Sequence, residues 1–149
     1  MKKAFTIIEI LIVISIILIL SVMATIGFSN MRINKAIDIT AQDILFALED
    51  AKSQSLSGKG GENHGVYFGA NSYIFFNGSS YSASDPENKT VTIDQNLEIV
   101  NTATNSSIIF SRITGNANGS SSVIVREKND TDNLKTITIG ALGDINMIE

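Results

Sequence analysis

Cysteine is absent from this chain, and histidine and proline occur once each, as His64 and Pro86. Zero cysteines exclude a disulfide framework and thiol chemistry. One histidine without cysteine leaves too little for clustered zinc ligands or a histidine-based catalytic apparatus, so no enzyme is expected. Positive charge is also scarce. Taking Lys2, Lys3 and Glu9 from the 11 basic and 15 acidic residues leaves nine basic and fourteen acidic from Ser29 onward. That acidic balance weighs against a polyanion partner such as nucleic acid. Asn129 to Asn133 and Asp85 to Asn88 offer oxygen ligands, but neither has the glycine and distal Glu of a calcium loop. They read as solvated turns, and no metal or cofactor is expected.

What the chain does have is one long apolar run, Phe5 to Phe28, whose only ionisable group is Glu9. As a helix it would be about 36 Å long, enough to cross a hydrocarbon core of about 30 Å. Residues 5–28 are therefore expected to be a transmembrane helix. Lys2 and Lys3 precede it directly, which predicts a cytoplasmic N-terminus and a C-terminal domain outside. A secretory signal cleaved after the span fits less well, because the run is long and candidates such as Ser21-Val22-Met23 or Ala24-Thr25-Ile26 do not have small residues at both ends. A carboxylate within lipid costs on the order of 2.5 to 3.5 kcal/mol at mid-bilayer. Glu9 therefore calls for a partner.

Beyond the run the composition shifts to Asn, Ser, Thr and Gly with alternating Ile and Val, leaving room for one modest domain. Ile33, Ile37, Ala41, Ile44, Leu48 and Ala51 recur at spacings of three and four, the stripe of an amphipathic helix. No Pro or Gly interrupts Ser29 to Ser57, and Gly58-Lys59-Gly60-Gly61 ends the pattern. Residues 29–57 thus continue the same helix. From His64 the period becomes two, with strand-like runs at Val66 to Phe68, Tyr73 to Phe76, Thr90 to Ile93, Leu97 to Val100, Ser107 to Phe110, Val123 to Arg126, Thr136 to Ile139 and Asp144 to Ile148. Turn-formers such as Asn77-Gly78 bound them. The predicted class is α+β: a long N-terminal helix, half transmembrane and half amphipathic, the latter packed on an antiparallel β-sheet in a domain spanning 62–149.

Lys3-Ala4-Phe5-Thr6-Ile7-Ile8-Glu9 ahead of an apolar helix resembles the class III signal of type IV pilins and of type II secretion pseudopilins. The resemblance implies a leader of residues 1–4, cleavage between Ala4 and Phe5 by a prepilin peptidase, and N-methylation of Phe5. It also assigns Glu9 to the acidic position that serves assembly. Ala4 stands where the family more often has glycine, and the helix-kinking proline common near the far end of the span is absent. An amine at Phe5 of a neighbouring subunit could sit against Glu9. Unit charges about 4 Å apart at an effective dielectric near 20 attract by roughly 4 kcal/mol, comparable to the cost of burial.

Phe46 to Ser55, Ile109-Phe110 followed by Gly115, and Thr136 to Gly140 leading to Gly143-Asp144-Ile145 resemble minor pseudopilins of the general secretion pathway H type and FimT minor pilins. The resemblance implies a minor structural subunit of a type IV pilus-like or pseudopilus filament. Its partners would be other pilin or pseudopilin subunits, prepilin peptidase, an inner-membrane assembly platform, and lipid before assembly. FimT-type DNA binders use a basic C-terminal surface, whereas the tail Gly143 to Glu149 is acidic. The implied location is the bacterial inner membrane, then an extracytoplasmic filament. Two alternatives stand beside this reading: a major type IV pilin, and a membrane-anchored adhesin or binding domain that does not polymerise.

Overall fold

A computed structural model describes residues 6–130 and 132–148, except the side chains of 23–30. The chain begins with one helix, α1, Ile7–Leu56, and continues into eight strands. It forms two compact units, Met1–Asn34 and Lys35–Glu149. The helix is slightly shorter than the 5–57 expected. At its far end Gly58 adopts a left-handed conformation (φ 66°) and donates its N–H to the Ser55 carbonyl at 3.0 Å, the usual way a glycine stops a helix. At its near end Thr6 stands outside the helix as a cap.

In the second unit the predicted stripe is buried: Ile37, Ala41, Ile44, Leu48 and Ala51 are all at most 1% exposed. All eight predicted strand runs form strands: β1 His64–Phe68, β2 Ser72–Asn77, β3 Lys89–Thr92, β4 Leu97–Asn101, β5 Ser107–Phe110, β6 Ser121–Glu127, β7 Leu134–Ile139 and β8 Ile145–Ile148. The expected antiparallel pairing is present, though not as one continuous sheet. Two antiparallel four-stranded sheets form instead, in the orders β3-β2-β1-β5 and β4-β6-β7-β8. After the β1-β2-β3 meander the chain departs to β4, comes back as β5 beside β1, and leaves again as β6 beside β4. Period-two patterning says which face of a strand is apolar, not which strand it pairs with. Val123, Val125, Ile137 and Ile139 keep that alternation, and their buried side chains join those of Val66, Phe68, Ile108 and Phe110 in the core.

The last turn of α1 is tied to both sheets. Ser55, four residues past Ala51 on the buried stripe, is itself fully buried. Its Oγ donates to the Phe110 carbonyl at 2.9 Å and accepts the His64 N–H at 2.9 Å, and its carbonyl accepts the Ile113 N–H at 2.9 Å. Lys52 Nζ donates to the Gly143 carbonyl in the β7–β8 turn at 2.8 Å. Gly143 (φ 80°) lies against the Gly115 carbonyl, and a side chain on Gly115 (φ 68°) would meet Leu56 Cδ2 at 2.8 Å. Gly143 therefore requires glycine for conformation and for space, and Gly115 for its left-handed conformation. Asp38 and Lys135 add an ion pair of 3.4 Å between α1 and β7.

His64 is buried in this region, with Nδ1 2.7 Å from Asn77 Oδ1 and Nε2 3.1 Å from the Lys59 carbonyl. Both ring nitrogens are thus engaged in holding β1, β2 and the post-helix turn together. Among the described residues no cluster of three or more His, Cys, Asp or Glu could hold a metal ion. Asp85 and Asp130, from the two acidic loops, instead accept the backbone N–H groups of Glu87 and Asp132 at 2.9 and 3.0 Å.

Because Ser55 Oγ serves two buried backbone groups, Ser55→Ala strands a donor and an acceptor. It should lower the stability of the full chain in detergent by about 1 to 3 kcal/mol in a urea titration. Ser53→Ala, exposed on the same turn, should stay within about 0.5 kcal/mol of wild type.

Candidate functional site

The sequence points to the start of α1, and the described part of that site runs from Thr6 to Val22. Ala4 and Phe5, the expected cleavage and methylation positions, lie outside the described residues. So do the leader 1–4 and the side chains of 23–28 in the expected span. Among the described residues no helix is both long and apolar enough to cross a membrane.

Each large apolar side chain from Ile7 to Val22 is exposed, from 49% at Ile14 to 82% at Ile7. They occupy all sides of the helix, a pattern that belongs inside protein or lipid. Leaving a Val, Leu or Ile in water forgoes about 1.5 to 3 kcal/mol each, so this segment is costly to leave facing water. Its few polar groups are arranged to permit burial. Ser15 Oγ donates to the Leu11 carbonyl at 2.8 Å and Ser21 Oγ to the Ile17 carbonyl at 2.7 Å. Both hydroxyls are thus satisfied within the helix and need no water.

Glu9 falls in the first turn, where a carboxylate also complements the positive end of the helix dipole. It has a partner in its own chain, which the sequence reading missed. The Glu9 N–H lies 3.3 Å from Thr6 Oγ1, and the Thr6 N–H lies 3.5 Å from Glu9 Oε2. These reciprocal contacts are those of a capping box, in which residues three apart satisfy each other's free N–H groups. The signal for it in the sequence is the spacing Thr6-x-x-Glu9 ahead of an apolar run. The second contact is at the long limit for a hydrogen bond, and an ionised carboxylate accepts several donors. The cap therefore leaves Glu9 able to take a further cation while holding its position at the first turn.

Comparison with known proteins adds two findings. Residues 1–25 match the family described as the prokaryotic N-terminal methylation motif. Solved structures share the fold. The minor pseudopilin EpsH from the type 2 secretion system of Vibrio cholerae aligns with a TM-score of 0.59 at 13% identity, covering 75% of this chain and 95% of that one. The type IV minor pilin FimU of Pseudomonas aeruginosa aligns with a TM-score of 0.62 at 13% identity, covering 76% of this chain and 88% of that one. No curated protein matches the sequence. The architecture, a long N-terminal helix followed by antiparallel sheet, is thus pilin-like.

Removing the cap hydroxyl should loosen only the first turn. In micelles, Thr6→Ala should speed exchange of the Glu9 amide about fivefold, the equivalent of a cap contributing about 1 kcal/mol. The melting of the Lys35–Glu149 unit should not change.

Proposed function

We propose that this chain, which joins a prokaryotic N-terminal methylation motif to a pilin-like fold, is a minor structural subunit of a type IV pilus-like or type II secretion pseudopilus filament. The observation that carries the reading is the coincidence of that motif with a helix whose apolar side chains are exposed on all sides. In this reading residues 1–4 are a leader, prepilin peptidase cuts between Ala4 and Phe5, and Phe5 is N-methylated. Residues 5–28 hold the subunit in the inner membrane, N-terminus in the cytoplasm and domain outside, until an assembly platform moves it into an extracytoplasmic filament. There the helices of neighbouring subunits replace lipid around Ile7 to Val22. Catalysis has no part in this role.

Glu9 then acts twice. Within the subunit it closes the first turn with Thr6, and between subunits it receives the positive amine of a neighbour's Phe5. Cap and charge pair act together, because a carboxylate held at the first turn offers a defined axial target. An unpaired charge penalises misplacement of one subunit against the next, so the pair sets register.

Two measurements test the proposal. Intact-mass analysis of membrane-extracted protein should show loss of Met1 to Ala4 and a methylated Phe5. A chain that keeps its leader in cells with active peptidase would argue for a bitopic binding domain that never polymerises. Glu9→Gln should spare insertion, cleavage and domain folding but reduce crosslinking to partner subunits. Wild-type crosslinking by that variant, with the leader removed, would rule out the charge pair. Abundance in sheared filaments separates a major pilin from a minor one.

A further inference from the structure

A groove of about 340 Å³ lies between the outward side of α1 and β3, lined by Asp43, Phe46, Asp50, Tyr73, Lys89 and Val91 among others. Phe46 is 62% exposed and Val91 43%, so apolar surface is open on both walls. Tyr73 pairs with Val91 and Phe75 with Lys89, which puts these four side chains on the face of the sheet that looks at α1. Asp43 and Asp50 against Lys89 leave the groove net acidic. The Asp43 carboxylate is close enough to act on the Tyr73 hydroxyl, which burial first and this charge second push above its ordinary range.

β3 is an outer strand of its sheet, and all four of its residues are exposed. Its register with β2 runs on to Ile93, whose N–H donates to the Asn71 carbonyl at 3.0 Å. Hydrogen-bonded positions alternate along an antiparallel strand. Val91 and Lys89 therefore turn their backbone groups toward β2, as Ile93 does, and Thr90 and Thr92 turn theirs to the open edge. Outer strands are ordinarily guarded by charge, proline, bulges or a covering element. Here Lys89 is the one charged residue of the strand.

We propose that β3 is a docking edge for an extended peptide segment that carries an apolar residue flanked, on the same face, by lysine or arginine. Such a segment adds a fifth strand through the outward groups of Thr90 and Thr92. Its alternate side chains enter the groove beneath Phe46. Asp43 and Asp50 lie two helical turns apart, about 10.5 Å, while same-face residues four apart on a strand span about 13.6 Å. Two basic side chains around one apolar residue can thus reach both carboxylates. Main-chain pairing supplies affinity, and the acidic, apolar groove supplies selection. The inference goes beyond the filament reading and does not depend on it.

The test uses the full chain in micelles and two acetylated, amidated heptapeptides, TKTVTKT and TETVTET, with binding followed by anisotropy and amide exchange. The lysine peptide should bind at least about tenfold more tightly than the glutamate peptide and slow exchange at Thr90 and Thr92. Thr90→Pro, which removes an outward donor but no β2–β3 bond, should weaken binding about tenfold with an unchanged melt. Asp43→Lys with Asp50→Lys should abolish the preference between peptides. If Thr90→Pro does not fold, the charge reversals and the exchange pattern decide. Equal binding of both peptides, no binding, or protection confined to other strands overturns the proposal. So does concentration-dependent protection of Thr90 and Thr92 without peptide, which would make a second copy the occupant. Leader cleavage and subunit crosslinking test the filament reading separately, so either can fail alone.

Discussion

The globular unit depends on how the last turn of α1 is held. A helix stripe laid on strands buries apolar area, but burial is non-directional and leaves the helix free to slide or rotate. Ser55 removes that freedom. One hydroxyl and one carbonyl bind β5, β1 and the turn at Ile113, and Lys52 reaches the β7–β8 turn, so both sheets are referred to a single helical turn. The two glycines of the neighbouring turns, Gly115 and Gly143, allow backbone to approach closely enough for this to happen. The segments 46–55, 109–115 and 136–145, far apart in sequence, meet at this junction.

The other end of α1 is under the opposite constraint. From Ile7 to Val22 apolar side chains face outward on every side, and the serines return their hydroxyls to the helix backbone. Such a segment is indifferent to whether lipid or other helices surround it, because both are apolar and neither supplies hydrogen bonds. Only its first turn is particular. Thr6 and Glu9 satisfy free N–H groups there and keep one carboxylate at a fixed axial height. On the proposed filament reading, this combination gives a surface that suits both bilayer and filament, with one charged position to set register in the second.

The open edge of β3 follows from topology. Because the chain leaves the first sheet after β3 and comes back beside β1, β3 is left as an outer strand next to an exposed Phe46. Had β4 continued the meander, the same residues would have lain inside a sheet. The groove and its acidic rim thus exist through the order of connections and not through any local motif.

By itself the sequence determined the helix, its termination at glycine, the buried stripe from Ile37 to Ala51, the positions of all eight strands and the apolar segment around Glu9. Each of these is a one-dimensional signal, a period, a breaker or a composition, and needs no knowledge of distant residues. The capping box at Thr6 and Glu9 is equally local, a spacing of three within the first turn. The division into two sheets, the role of Ser55 and the free edge of β3 were decided by the tertiary structure alone. A serine in an apolar stripe reads as a weak position until the Phe110 carbonyl and His64 N–H are seen to need it. Alternation specifies the inward face of a strand but is identical for every possible neighbour, so strand partners emerge only when the whole core is packed.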